Sequence, residues 1–354
     1  MNLSYEQELI VKTNKSKVLV ASCAGSGKTL TLTSRCKYLL DQGVDPRKIV
    51  LITFTNAAAE EISERLGHPK NVFIGTIHSY ANYLLLSKGV ETADILSLEL
   101  FDKLFERIKN NLDCVKEVEH LLLDEGQDSS AIQFEFILST VNPKNWMIFA
   151  DWRQSIYRWN GAHPEYIIDL SRDPEVTTFE LSGNYRNGTA ILNYAKNIIL
   201  SAGYIYKDHS EAMRHVTGKV VTGIPYNPEA VAKTLEQIGG NYGEWFILAR
   251  SNDQVDEIST ILKRHKIPCD TFKRAQLDNT ELAKKMRENT VKVLTIHTSK
   301  GLEANNVIVV GAKFYNLEEK CISYVAATRA KNLLVWLETR GKKTVPYKTT
   351  SWET

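Results

Sequence analysis

The stretch from Lys17 to Thr33 restricts what this chain can fold into more than any other part of it. Lys17-Val18-Leu19-Val20-Ala21 is an apolar, β-branched run of the kind that forms a buried strand. The glycine-rich turn Ser22-Cys23-Ala24-Gly25-Ser26-Gly27-Lys28-Thr29 follows, and Leu30-Thr31-Leu32-Thr33 opens a helix-compatible segment. Glycines let the backbone curl so that successive N–H groups point inward at an anion. In a turn of this kind Ala24, Gly25, Ser26 and Gly27 cradle phosphates and Lys28 reaches the β- and γ-phosphates. The Thr29 hydroxyl ligates Mg²⁺. Ser22 stands where the eight-residue pattern usually has its first Gly, but the strand before, the helix after and the intact Gly25-Ser26-Gly27-Lys28-Thr29 outweigh that. A nucleotide site is expected here.

The 354 residues suffice for about two domains, each with its own core. A hydrophobic share of 43% and a charged share of 24% are those of an ordinary globular protein. The net charge of +2 provides no global basic field, so any nucleic-acid surface must be local. Cys23, Cys36, Cys114, Cys269 and Cys321 are scattered without a C-x-x-C pair, which argues against zinc, an iron–sulfur cluster or a disulfide framework. A reducing cytoplasm fits this usage. The N-terminus lacks a basic start and a long apolar run, so no signal peptide is expected. No apolar stretch approaches the ~18 residues of a membrane span, and no membrane partner is expected.

Strands then alternate with helices. Lys48 to Phe54 reads as a second buried strand, followed by an Ala/Glu-rich helix from Ala57 to Leu66; Val72 to Thr76 reads as a third. Such alternation argues for a doubly wound parallel sheet. Residues 87–119 are polar and helical in pattern. The strand His120-Leu121-Leu122-Leu123 then ends in Asp124-Glu125, delivering two carboxylates to the sheet edge where the phosphate loop lies. Asp124 suits the Mg²⁺ shell, and Glu125 can position and deprotonate an attacking water. Gln7, in a short helical pattern after Leu3, can offer a donor and an acceptor to an adenine edge, although a lone Gln is more often an exposed helix residue.

The strand Trp146 to Ala150 opens into a loop holding Trp152, Arg153, Gln154, Tyr157, Arg158 and Trp159. Each aromatic taken singly reads better as a core anchor. Together with Phe54 and His78 they could form a stacking track for unpaired bases, worth ~1–3 kcal/mol per base. From about residue 179 the pattern restarts, with strands ending at Arg250 and His297 and a short helix from Tyr324 to Lys331. This second α/β half has no phosphate loop of its own.

The ordered segments are Ala24 to Thr29, Ile52 to Asn56, Gly75 to Ser79, Asp124 to Asp128, Gln154 to Trp159, Asn184 to Arg186, Thr295 to Glu303 and Tyr324 to Ala330. With them the chain resembles superfamily 1 DNA helicases of the UvrD/Rep/PcrA family, from Leu3 to about Leu337. The resemblance implies an α/β architecture of two RecA-like P-loop NTPase-type domains with parallel sheets, only the first carrying the phosphate loop. Residues 1–178 would be the ATP-binding domain, with 87–119 a short remnant of an accessory insertion. Residues 179–340 would be the second domain and 341–354 a tail. ATP and Mg²⁺ are the implied cofactors. Gln7 would read adenine, Tyr185 would stack on it and Glu303 would meet the ribose. Gln154 would sense the γ-phosphate and couple it to DNA. Arg186 and Arg329 would be arginine fingers, which elsewhere accelerate hydrolysis by ~10³–10⁵-fold. Phe54, Asn56, Thr76, His78, Tyr157, Trp159, Arg250 and His297 would form the DNA track.

The implied activity is ATP-dependent 3′→5′ DNA unwinding at junctions of single-stranded DNA with duplex, by a chain that is monomeric when free, in a bacterial or phage-infected cell. ATP on the first domain would attract the two arginines and favour a closed cleft, and hydrolysis would release it. Two other readings stand beside this one: a single-strand-stimulated ATPase that translocates without unwinding, and a nucleotide-gated recruitment module. Intact Glu125, Gln154, Arg186 and Arg329 argue against the last. The departures bear on the first. Only about 40 residues separate the His78 and Asp124 motifs, and as many the Arg250 and Thr295 motifs, where larger relatives carry long insertions. Cys23 stands where relatives have Gly, and Leu30 and Asn160 where they often have Arg.

Overall fold

In a computed structural model, which describes residues 3–201, 208–272 and 284–338, the chain forms two compact units that divide between Ser182 and Gly183. The expected tail, 341–354, lies outside the described residues. The first unit opens with α1 (Tyr5–Lys12), whose start is closed reciprocally. Ser4 N donates to Gln7 Oε1 at 2.9 Å and Gln7 N to Ser4 Oγ at 3.3 Å. Then come β1 (Lys17–Ser22), α2 (Lys28–Asp41), β2 (Ile49–Thr53), α3 (Asn56–Leu66), β3 (Phe73–Thr76) and α4 (Ile77–Leu86). The short helices α5 (Ala93–Ser97) and α6 (Lys103–Lys109) occupy the segment read as an insertion remnant. β4 (His120–Leu123), α7 (Ala131–Glu135), β5 (Asn145–Ala150), α8 (Pro164–Leu170) and β6 (Thr177–Leu181) complete the unit.

Its six strands are all parallel, in the order β3-β2-β4-β5-β1-β6. Crossover helices cover both faces of such a sheet, which is why β2 is apolar and buried at four successive positions rather than alternately. On one face Leu32, Cys36 and Leu39 of α2, spaced for one side of a helix, pack with Val18, Val20, Leu51 and Phe149. Trimming Leu32 to Ala would cost about 2–5 kcal/mol there. β6 alters the expected boundary: it pairs with β1, Val20 opposite Phe179. A cut at 178/179 would split this strand, because the sheet of the first unit does not close until Leu181.

The second unit starts with β7 (Gly183–Asn184), α9 (Thr189–Leu200) and β8 (Glu211–Ala212), the two short strands pairing with each other. β9 (Lys219–Pro225), α10 (Pro228–Ile238), β10 (Trp245–Ala249), α11 (Asn252–Arg264), β11 (Cys269–Phe272), β12 (Val291–Thr295), β13 (Ala304–Val309), α12 (Leu317–Ala327) and β14 (Ala330–Glu338) follow. The sheet is again all parallel, in the order β11-β12-β10-β13-β14-β9. Trp245, Ile247, Val293 and Ile308 pack under Val231 and Leu235 of α10. These are two RecA-like α/β cores, and the phosphate-loop segment lies in the first. Among the described residues no helix is long and apolar enough to cross a membrane, and no disulfide joins the cysteines.

Candidate functional site

The phosphate loop links the carboxyl end of β1 to α2. Gly25 and Gly27 have φ of 68° and 80°, the left-handed region that side chains avoid. A Cβ on Gly27 would also lie 2.8 Å from Gln7 Nε2. Gln7 is buried and its Nε2 donates to Ser26 O at 3.2 Å, so α1 rests directly on the loop. Ser26 Oγ is buried without a hydrogen-bond partner, a hydroxyl that a phosphate oxygen would satisfy. Cys23 N donates to Leu181 O at 3.3 Å and its Sγ approaches Ser182 O at 3.5 Å, fixing the loop to the end of β6. Thr29, one residue into α2, is partly buried.

Lys28 Nζ stands 3.5 Å from Glu125 Oε1, so the loop and the carboxylates after β4 meet. Glu125 has φ of 52°, strained for a residue with a side chain and costing about 1–3 kcal/mol. At the next residue a Cβ on Gly126 would fall 2.5 Å from Ile148 Cγ2, so the turn runs hard against β5. Glu125 N donates to Asp124 Oδ1 at 2.9 Å. Burial, and after it the charge of Glu125, push the Asp124 carboxyl well above the usual carboxylate range, while Lys28 opposes the shift. A divalent cation at Asp124 and Thr29 would relieve that penalty, so the donor set fits Mg²⁺ and a phosphate chain.

A polar network extends from these residues. Gln127 Nε2 donates to Glu125 Oε2, and Gln127 Oε1 accepts from Asp151 N at 3.0 Å. Asp151 Oδ2 accepts from Gln154 Nε2 at 2.9 Å, and Asp151 Oδ1 from Arg153 Nε at 2.7 Å. Arg153 Nη2 returns to Ser22 O at 3.0 Å. Gln154 is therefore buried and joined to Glu125 through two intermediaries. Gln127, Asp151 and Arg153 were not read as functional from sequence, because single polar residues in loops carry no periodic signal.

In the second unit Arg186, Glu303 and Lys331 come together. Arg186 Nε lies 2.6 Å from Glu303 Oε2 and Lys331 Nζ 2.5 Å from Glu303 Oε1. Burial alone would raise the Glu303 carboxyl, but the two cations outweigh it and hold it below its ordinary value. Lys331 is a further residue missed from sequence. Tyr185 is 47% exposed beside them in the chain. Arg329 is only 1% exposed, with Nε donating to Val325 O at 3.0 Å and Nη1 to Leu302 O at 3.2 Å. The expected finger is held by backbone carbonyls of its own unit.

The expected DNA track divides likewise. Phe54 and Tyr157 stack on each other at 5.0 Å and 14°, and Tyr157 is 6% exposed, so it supports Phe54 more than it presents a face of its own. Trp159 meets Tyr157 edge-on at 6.1 Å and is 66% exposed. Asn56 is the exposed first residue of α3. The Thr76 hydroxyl caps α4 by accepting from Ser79 N at 3.2 Å. His78 bonds Asp102 at 3.1 Å and stacks on Phe105 at 5.2 Å. In the second unit Arg250 forms a two-pronged pair with Glu319, at 2.8 and 3.1 Å, which holds the guanidinium charged. His297 follows β12 and is partly buried.

Residues 3–117 and 94–175 match the UvrD/REP helicase N-terminal domain family, and residues 270–340 the UvrD-like helicase C-terminal domain family. Among curated proteins the chain is similar to the ATP-dependent DNA helicase PcrA of Staphylococcus epidermidis, 26% identical over 75% of this chain and 50% of that protein. It is 28% identical to PcrA of Staphylococcus aureus over 56% of this chain and 40% of that protein. A probable DNA helicase of Mycoplasma pneumoniae is 25% identical over 94% of this chain and 82% of its own length. The chain thus spans about half the length of the PcrA relative from Staphylococcus epidermidis.

Proposed function

Because the chain belongs to the UvrD/PcrA-like helicases of superfamily 1 and carries both of their domains, we propose that it is an ATP-driven motor on single-stranded DNA. The supporting observation is the joining of Lys28, Asp124 and Glu125 to Gln154 through one polar network. Gly25, Ser26, Gly27 and Lys28 bind the phosphates. Thr29 and Asp124 would hold Mg²⁺, which would supply neutralisation of charge on the phosphate chain. Glu125, fixed by its strained backbone and Gln127, orients and deprotonates the attacking water. Gln154 reports the γ-phosphate to the Tyr157–Trp159 segment that follows it in the chain. Tyr185 stacks on adenine and Glu303 meets the ribose; for Gln7 to read adenine, its amide must exchange Ser4 N or Ser26 O for the base. Arg186 and Arg329 stabilise charge on the phosphoryl in transfer, which requires each to exchange its present partner for phosphate.

Bases stack on Trp159 and Phe54, and travel runs 3′→5′ with unwinding of duplex. Translocation without unwinding is the second reading, favoured by the reduction of the accessory segment to α5 and α6. Strand displacement on duplexes tailed at either end, beside ATPase measured with and without single-stranded DNA, tests both. Displacement only from a 3′ tail supports the motor with unwinding. Stimulated hydrolysis without displacement supports the second reading, and no stimulation refutes both.

A further inference from the structure

We propose that Arg153 is a positioning residue that sets how the site distinguishes a nucleoside triphosphate from a diphosphate. It does so by clamping the loop after β5 to the start of the phosphate loop. This deepens the nucleotide-driven reading above and rests on it.

The side chains of Arg153 and Asp151 are 3% and 1% exposed. A buried ion pair is a poor device for stability alone, since apolar residues often replace one without loss. Here its hydrogen bonds run to segments of the site. Arg153 Nε holds Asp151 Oδ1 at 2.7 Å while Nη2 holds Ser22 O at 3.0 Å. The second carboxylate oxygen of Asp151 takes Gln154 Nε2 at 2.9 Å. Ser22 adds a tie of its own, its Oγ donating to Ala150 O at 2.9 Å. That tie exists because a serine occupies the position where the loop pattern usually has glycine. The ends of β1 and β5, already paired in the sheet, are therefore joined also by the side chains of Ser22 and Arg153.

The consequence is geometric. The loop that holds the inner phosphates and the amide proposed to meet the third are fixed to each other through Asp151, Arg153 and Ser22. A diphosphate uses the loop alone. A triphosphate needs loop and amide at the correct separation, so loosening the clamp weakens the triphosphate selectively.

Arg153→Lys keeps a positive charge beside Asp151 but lacks the planar fork that reaches two acceptors at once. Titration of the full chain with ADP and with a non-hydrolysable ATP analogue, both with Mg²⁺, reads the effect. The analogue should bind about tenfold more weakly and ADP within about twofold of wild type, the cost of one misplaced hydrogen bond. Equal weakening of both nucleotides, or no change in either, would overturn the proposal by returning Arg153 to a structural role. If Arg153→Lys does not fold, Arg153→Gln keeps one amide donor for Asp151 and gives up the reach to Ser22 O. A narrowed triphosphate preference then supports the clamp and an unchanged one overturns it. Wild-type protein that binds neither nucleotide would remove the reading of the whole site. Wild-type preference for the triphosphate that survives both substitutions would remove the clamp alone.

Discussion

The two units use the same kind of sheet but distribute their charges differently. In the first, the loops after β1, β4 and β5 bring Asp124, Glu125, Gln154 and Lys28 into one connected group. In the second, Arg186, Glu303, Lys331 and Arg329 lie near the amino ends of β13 and β14, whereas Arg250 and His297 follow the carboxyl ends of β10 and β12. The cations differ too. Lys28 faces a carboxylate at 3.5 Å, a loose pairing beside a glycine loop shaped for anions. Arg186 is bonded at 2.6 Å, Arg250 is bidentate on Glu319 and Arg329 is filled by carbonyls. A parallel sheet supplies positions for chemistry at its edges, and the partners already present decide which positions are ready to act. The glycine turn of the first unit, with Ser26 Oγ buried and unsatisfied, is arranged to receive a phosphate as it stands. For the arginines of the second to do so, as proposed, they would have to give up existing partners.

This contrast can be broken most sharply at Lys28. Lys28→Ala should abolish ATP hydrolysis, a loss of at least about 10²–10³-fold by phosphate release; retained turnover would mean the site lies elsewhere. Arg186→Ala should lower DNA-stimulated turnover by about 10³-fold while nucleotide still binds. Unchanged turnover would leave Arg186–Glu303 as a structural ion pair and sharpen the difference between the units. Trp159→Ala should weaken single-strand binding by ~1–3 kcal/mol in a fluorescence titration, with basal ATPase largely intact. Equal affinity would make Trp159 a surface residue without a ligand.

The smallest effect is a pH effect confined to the second unit. His265 bridges α10 and α11 through Glu236 at 2.8 Å and Glu229 at 2.7 Å, and these bonds raise its pKa. A raised folded-state pKa adds stability that is fully present below the unfolded value of about 6.5 and is lost as pH rises through the folded one. His265→Gln should therefore lower Tm more at about pH 6 than at about pH 9. An equal drop at both would assign the loss to packing.

Much of this was legible in the sequence wherever one physical requirement dominated. β1, β2, β4 and β5 must be apolar on both faces, and the phosphate loop needs glycine at its left-handed positions, so both announce themselves. β6 did not announce its partner: Thr177 to Leu181 alternates as an edge strand does, and alternation says nothing about which sheet it joins. β9, β11 and α10 were missed, although Asn227-Pro228 carries a helix-start signal, with Asn227 Oδ1 accepting from Ala230 N at 2.8 Å. Tyr157 illustrates another limit. Spacing places an aromatic in a loop but cannot tell which of its faces is covered, and here Phe54 covers one. The Gln127–Asp151–Arg153 network joins residues from different loops that only the folded sheet brings together.

Steady-state ATP hydrolysis by the full chain, with and without single-stranded DNA, bears most directly on the claim that this is a strand-driven motor. Hydrolysis should rise several-fold when the strand is added and vanish in Lys28→Ala. A rate indifferent to DNA, or one that survives Lys28→Ala, would contradict it.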